Sequence, residues 1–101
     1  MRIDVYYPVR DGAYMVQQEF LSGQWPGPGA YQHIATIEAG GLEDAYYLTN
    51  TIEEYWFEGS HVTWLRDAGA RSSMVGDAFV LDGEWYVIDR VGFRRMEVNG
   101  D

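Results

Sequence analysis

Ile3, Val5 and Tyr7 alternate with Asp4 and Tyr6, the period-two pattern of a strand with one buried face. Arg10-Asp11-Gly12 then supplies turn chemistry, and residues 13–20 are expected to return as the partner strand of a hairpin. Residues 22–30 are rich in proline and glycine and predict a surface loop, with Trp25 folded back on the core because a buried ring removes much apolar area from water. Residues 31–39 carry Ile34, Thr36 and Ile37 and predict a second long strand.

After Gly40-Gly41 the period changes. Leu42, Ala45, Tyr46 and Thr49 fall at i, i+3, i+4 and i+7, one stripe of a helix, with Glu43, Tyr47 and Asn50 turned away. Glu43 and Asp44 stand in its first turn, where the helix dipole favours negative charge, and Asn50 is a natural stop. Thr51 and Glu54 have the spacing of a capping box for a further short turn. Residues 61–66 predict a strand and residues 68–74 a loop. Residues 77–81 and 85–90 then form the clearest hairpin, about Asp82-Gly83, and 93–98 a last edge strand. The expected fold class is α+β: a single domain over residues 1–101, with a mostly antiparallel sheet of about five or six strands and one main short helix packed on one face.

With 47% apolar and 16% aromatic residues, the chain has the material for one core. It has no cysteine, which excludes disulfides and thiolate metal sites. The charged N-terminus lacks the apolar stretch of a signal peptide, and no apolar run reaches the roughly 18 residues of a membrane span, so a cytoplasmic protein that does not engage membranes is expected.

Charge is less even than composition. The net charge is −9, and every base is arginine. Between Asp11 and Leu65 there is no base at all, while Asp11, Glu19, Glu38, Glu43, Asp44, Glu53, Glu54 and Glu58 contribute −8. Such a field repels nucleic acid and draws basic partners. Solubility alone also accounts for an acidic composition.

Candidate chemistry is sparse. His33 and His61 sit in predicted strands without a partner at a fixed spacing, so no catalytic residue, metal ligand or cofactor site is assigned. Gly59-Ser60-His61 lacks the strand-to-helix setting of a nucleophile elbow. Gly27 and Gly29 are interleaved with proline, which has no amide to offer a phosphate. Glu53-Glu54-Tyr55-Trp56-Phe57-Glu58 stands out instead. Three consecutive large rings cannot all face inward, so either two seal the helix-to-sheet seam and one lies on the surface, or the run is a contact site. The candidate partner-binding residues are Glu43, Asp44, Glu53, Glu54, Tyr55, Trp56, Phe57 and Glu58.

The segment Arg71-Ser72-Ser73-Met74-Val75-Gly76-Asp77, then Asp82-Gly83, then Tyr86, Asp89, Gly92 and Phe93, resembles the YodL-like module of small plasmid and phage proteins. That module often reads R-S-x-S-V-G-D, a hairpin, and Y-x-x-D-x-x-G-F; Met74 departs from it where serine is usual. The resemblance covers the last third of the chain well and the middle third loosely. It implies a mobile-element setting and carries over no catalytic residues. Charge and resemblance together lead to the expectation of an accessory protein, of anti-CRISPR or antirestriction type, that binds and inhibits a basic nucleic-acid-handling host protein without touching nucleic acid itself. The alternatives are a non-inhibitory structural or regulatory module, and a small RNA- or ligand-binding β-barrel using Arg90, Arg94 and Arg95.

Overall fold

The structure is a computed structural model that describes residues 1–9, 12–50, 56–66 and 69–98. Strand β1 (Arg2–Pro8) is followed by helix α1 (Ala13–Leu21), a 3-10 turn (Pro28–Ala30), β2 (Tyr31–Glu38) and helix α2 (Leu42–Thr49). A second 3-10 turn (Trp56–Glu58), β3 (Val62–Trp64), β4 (Ala78–Leu81), β5 (Glu84–Ile88) and β6 (Phe93–Met96) complete the chain. The fold is α+β: one six-stranded antiparallel sheet in the order β3-β2-β1-β4-β5-β6, with two helices. The sheet is open, with β3 and β6 as edges, so the β-barrel alternative has no architecture to rest on. Among the described residues, no helix is long and apolar enough to cross a membrane.

β1 lies at the centre because its two faces feed two cores. Ile3, Val5 and Tyr7 join Ile34, Ala35, Ile37, Phe79 and Ile88 in one cluster, which buried Ala45 of α2 completes. The intervening Tyr6 packs against the other cluster, where Val16 and Phe20 of α1 meet Tyr31, Ala78 and Val87. The two helices thus cover opposite faces. A bulge makes this possible on β2: Val5 pairs with Ala35 but Tyr6 pairs with His33, leaving Ile34 as the extra residue. Without it Tyr31 and His33 would share a face with Ala35 and Ile37, because side chains alternate strictly in a regular strand.

Residues 13–20 therefore do not form the expected return strand. They belong to α1, which places Val16 and Phe20 one turn apart on its buried side. Ala, Met, Gln, Glu and Leu in this stretch are compatible with a helix, and the packing of Val16 and Phe20 on Tyr31, Ala78 and Val87 selects it. The helix stops in a Schellman arrangement: Gln24 N–H donates to Glu19 O at 2.7 Å and Gly23 N–H to Phe20 O at 3.1 Å. Gly23 was the overlooked sequence signal.

The other expectations are met with shifted ends. α2 buries Ala45 and Thr49, half-buries Leu42 and Tyr46, and exposes Glu43 and Tyr47. The β4–β5 hairpin turns on Asp82 (φ 53) and Gly83 (φ 80), the positive pair that a type I′ turn requires. Trp25 is folded back as expected; its indole N–H donates to Tyr31 Oη at 3.0 Å, beside Trp85. The proposed Thr51–Glu54 capping box and the Arg10-Asp11 part of the first turn lie outside the described residues.

Trp56 is 4% exposed and meets Tyr7, Phe57 and Trp64 ring to ring. Truncating a ring so packed opens a cavity, so Trp56→Ala should cost about 3–5 kcal/mol in urea unfolding. Tyr47→Ala, at a side chain 77% exposed, should stay within about 0.5 kcal/mol of the parent. Equal effects of the two substitutions would refute this packing.

Candidate functional site

The segment 71–77 is where the elements are tied together. Both Arg71 terminal nitrogens reach the buried Asp77 carboxylate, Nη1 to Oδ2 at 2.6 Å and Nη2 to Oδ1 at 2.8 Å. The guanidinium lies over the Tyr7 ring at 4.3 Å, and the Arg71 carbonyl accepts from Tyr7 Oη and Trp56 Nε1, both at 3.0 Å. Asp77 Oδ2 also accepts from Met74 N–H at 2.8 Å. Ser73 N–H donates to Thr49 O at 2.9 Å and its hydroxyl lies 2.7 Å from that of Thr49, while Asn50 Nδ2 donates to Ser73 O. Gly76, at φ +98, presses on α1 so closely that a Cβ there would stand 3.0 Å from Gln17 Cα. Segment 71–77 thus serves as a structural clasp.

Burial pushes the Asp77 carboxyl above its usual value, opposed by the Arg71 guanidinium and Met74 N–H. Desolvation works against the charge on Arg71, but the hydrogen bonds and charge of Asp77 outweigh it and hold the guanidinium above its usual value. Burial also raises the Tyr7 phenol, helped by the Asp77 charge and opposed by Arg71. It raises Tyr31 too, against the hydrogen bond from Trp25.

The sequence-predicted contact residues fall into three groups. Glu43, Asp44 and Glu58 are exposed, on α2 and on the 3-10 turn that contacts it. Asp44 has a local task as well, accepting from Gly40 N–H at 2.8 Å. Trp56 is a core residue and Phe57 is half-buried against Trp64 at 4.9 Å, so a contact anchor at Trp56 is corrected to a seal between turn and sheet. Glu53, Glu54 and Tyr55 lie outside the described residues. Among the described residues, the exposed aromatic on this side is Tyr47, beside a groove of about 460 Å³ between α2 and the β5–β6 turn that Tyr46, Ile88 and Phe93 also line. Its position off the apolar stripe of α2 was the available signal.

The charges sort themselves. Arg2 pairs with Asp4, Arg71 with Asp77, Arg94 with Asp89 and Arg95 with Glu84. Arg66 donates to Gln32 Oε1. Among the described residues, no group of three or more His, Asp or Glu side chains converges as a metal site. His33 stacks on Tyr6 at 4.8 Å, with Nε2 within 3.0 Å of Ala35 O and 3.5 Å of Asp4 Oδ1.

These features define an α+β sheet protein with an acidic surface and a clasped loop. No protein-family model, curated protein or solved structure matches the chain.

Two predictions follow from the clasp. Arg71→Ala leaves a buried carboxylate without its partner and should cost about 3 kcal/mol in urea unfolding, with part of the loss recovered in Arg71→Ala/Asp77→Ala. A loss under about 0.5 kcal/mol would mean that the pair is not an anchor.

Alkaline titration tests the phenols. Tyr7 and Tyr31 are raised in the folded state, whereas unfolded phenols ionise near pH 10. Below about pH 10 their contribution to stability is complete, and it is lost as pH rises through the folded values. Phenolate absorbance should therefore show a late step that coincides with loss of far-ultraviolet ellipticity, and Tyr7→Phe should shrink it. Ionisation of all tyrosines without unfolding would contradict the burial of these two rings.

Proposed function

We propose that this protein is an accessory inhibitor of a mobile genetic element that binds a basic, nucleic-acid-handling host protein through the acidic face of α2 and its neighbouring turn. One observation carries the reading. Four arginines are neutralised within the fold by Asp4, Asp77, Asp89 and Glu84, while Glu43, Asp44 and Glu58 face solvent. The net charge of −9 is thus concentrated on carboxylates with few internal cations to spend. Duplex DNA presents about one charge per 1.7 Å of axis, so a groove built to receive it also receives a surface studded with carboxylates. Tyr47 supplies what charge lacks: a large, rigid, exposed ring one helical turn from Glu43, beside a groove that Asp89 and Arg90 also line, and of the residue type enriched at binding hot spots. The mobile-element setting rests on the resemblance of residues 71–93, and the cytoplasm of the host cell is the place such a target would be met.

Affinity capture from a bacterial lysate identifies the partner, and kinetics with that partner test the site. Rim charges act on association and anchors on dissociation. Glu43→Gln/Glu58→Gln should slow association at low salt and leave it unchanged at high salt; Asp44 is spared because it caps Gly40. Tyr47→Ala should speed dissociation about 30-fold, the equivalent of a 2 kcal/mol hot spot. Captured proteins that are neither basic nor nucleic-acid-handling would overturn the reading, as would salt-sensitive binding of DNA or RNA by the protein itself.

A further inference from the structure

The C-terminal end of β1 and the N-terminal half of β2 meet β3 and the segment 69–71 around a cavity of about 600 Å³. Small-molecule sites run from about 300 to 1,000 Å³. Tyr7, Ile34 and Trp64 give this one aromatic and apolar walls, and Gln32, Arg66 and Arg71 give it polar ones.

The donors of Arg71 can be accounted for one by one. Nη1 serves Asp77 Oδ2 at 2.6 Å and Ser72 O at 3.1 Å, and Nη2 serves Asp77 Oδ1 at 2.8 Å. Among the described residues nothing accepts from Nε–H or from the second hydrogen of Nη2. Those two donors share one edge of the planar guanidinium, and such an edge matches a carboxylate or phosphate with two parallel hydrogen bonds. The guanidinium cannot swing away, because Asp77 fixes its far edge and Tyr7 its face. Arg66 faces the same space, oriented by its donation to Gln32. Among the described residues that line the cavity, Arg66 and Arg71 are the charged ones and none is acidic, while Asp77, the partner of Arg71, is 1% exposed and already engaged.

We infer that this cavity binds a small planar molecule carrying an oxyanion, its ring against Trp64 and Tyr7 and its anion between Arg71 and Arg66. The limited volume favours one ring and one anionic group over a polymer segment. The inference is independent of the inhibitor reading, since it uses none of the residues on the acidic face.

The test is a titration of isotope-labelled protein with benzoate, phenyl phosphate and neutral benzamide, read by nuclear magnetic resonance at the Trp64 indole and the arginine Nε–H signals. Saturable shifts with at least one anion are expected, and the comparison of benzoate with phenyl phosphate assigns the anion as carboxylate or phosphate. Arg66→Gln should weaken the tighter probe about tenfold, the value of one charge-assisted hydrogen bond. Arg71→Lys, which keeps a cation for Asp77 but deletes the free edge, should weaken it at least as much. Arg95→Gln, far from the cavity, should change nothing. The inference fails if benzamide shifts the same signals equally, if neither anion gives a saturable shift, or if Arg66→Gln leaves the affinity unchanged. Should Arg71→Lys fail to fold, Arg66→Gln decides the matter alone.

Discussion

The bidentate contact between Arg71 and Asp77 governs more of this structure than any other single interaction. Asp77 is almost wholly buried at the entrance to β4, and an ionised carboxylate there costs several kcal/mol of desolvation unless it is paired and hydrogen-bonded. Arg71 and the Met74 N–H meet that demand, and in doing so they fix the path of every residue between 71 and 77. That path presents the Arg71 carbonyl to Tyr7 of β1 and Trp56 of the 3-10 turn, the Ser73 backbone to Thr49 and Asn50 at the end of α2, and Gly76 to α1. One loop therefore holds both helices to the two faces of the sheet. The Arg71 side chain stays 37% exposed, so the same pairing that closes the fold leaves this residue in the wall of a cavity.

The division of charge follows from the same economy. A chain with few bases places most of those described against its own carboxylates, which leaves Glu43 and Glu58 exposed to solvent. Exposed carboxylates of this kind add little to folding, because surface ion pairs are worth at most about 1 kcal/mol and bulk water screens them. They do shape the long-range field that an approaching partner meets. The packing lies with other residues: the aromatic seam of Tyr7, Trp56 and Trp64 is buried or half-buried, while Glu43, Glu58 and Tyr47 stay exposed.

The sequence by itself determined the elements whose signal is local. The period-two run of β1, the stripe of α2 and the Asp82-Gly83 turn each follow from side-chain spacing or from backbone preferences that neighbours do not alter. The antiparallel α+β class was therefore readable before any coordinates. Two things were decided only by tertiary structure. α1 was mistaken for a strand because a short segment with apolar residues at several spacings satisfies either period, and it is the meeting of Val16 and Phe20 with Tyr31, Ala78 and Val87 that selects the helix. The fate of Trp56, Phe57 and Tyr47 was equally out of reach. Sequence shows that adjacent rings cannot all be buried, but which ones are depends on the carbonyl of Arg71 and the ring of Trp64, brought from elsewhere in the chain. Burial is a property of who arrives at a surface, and distant segments arrive only when the chain has folded.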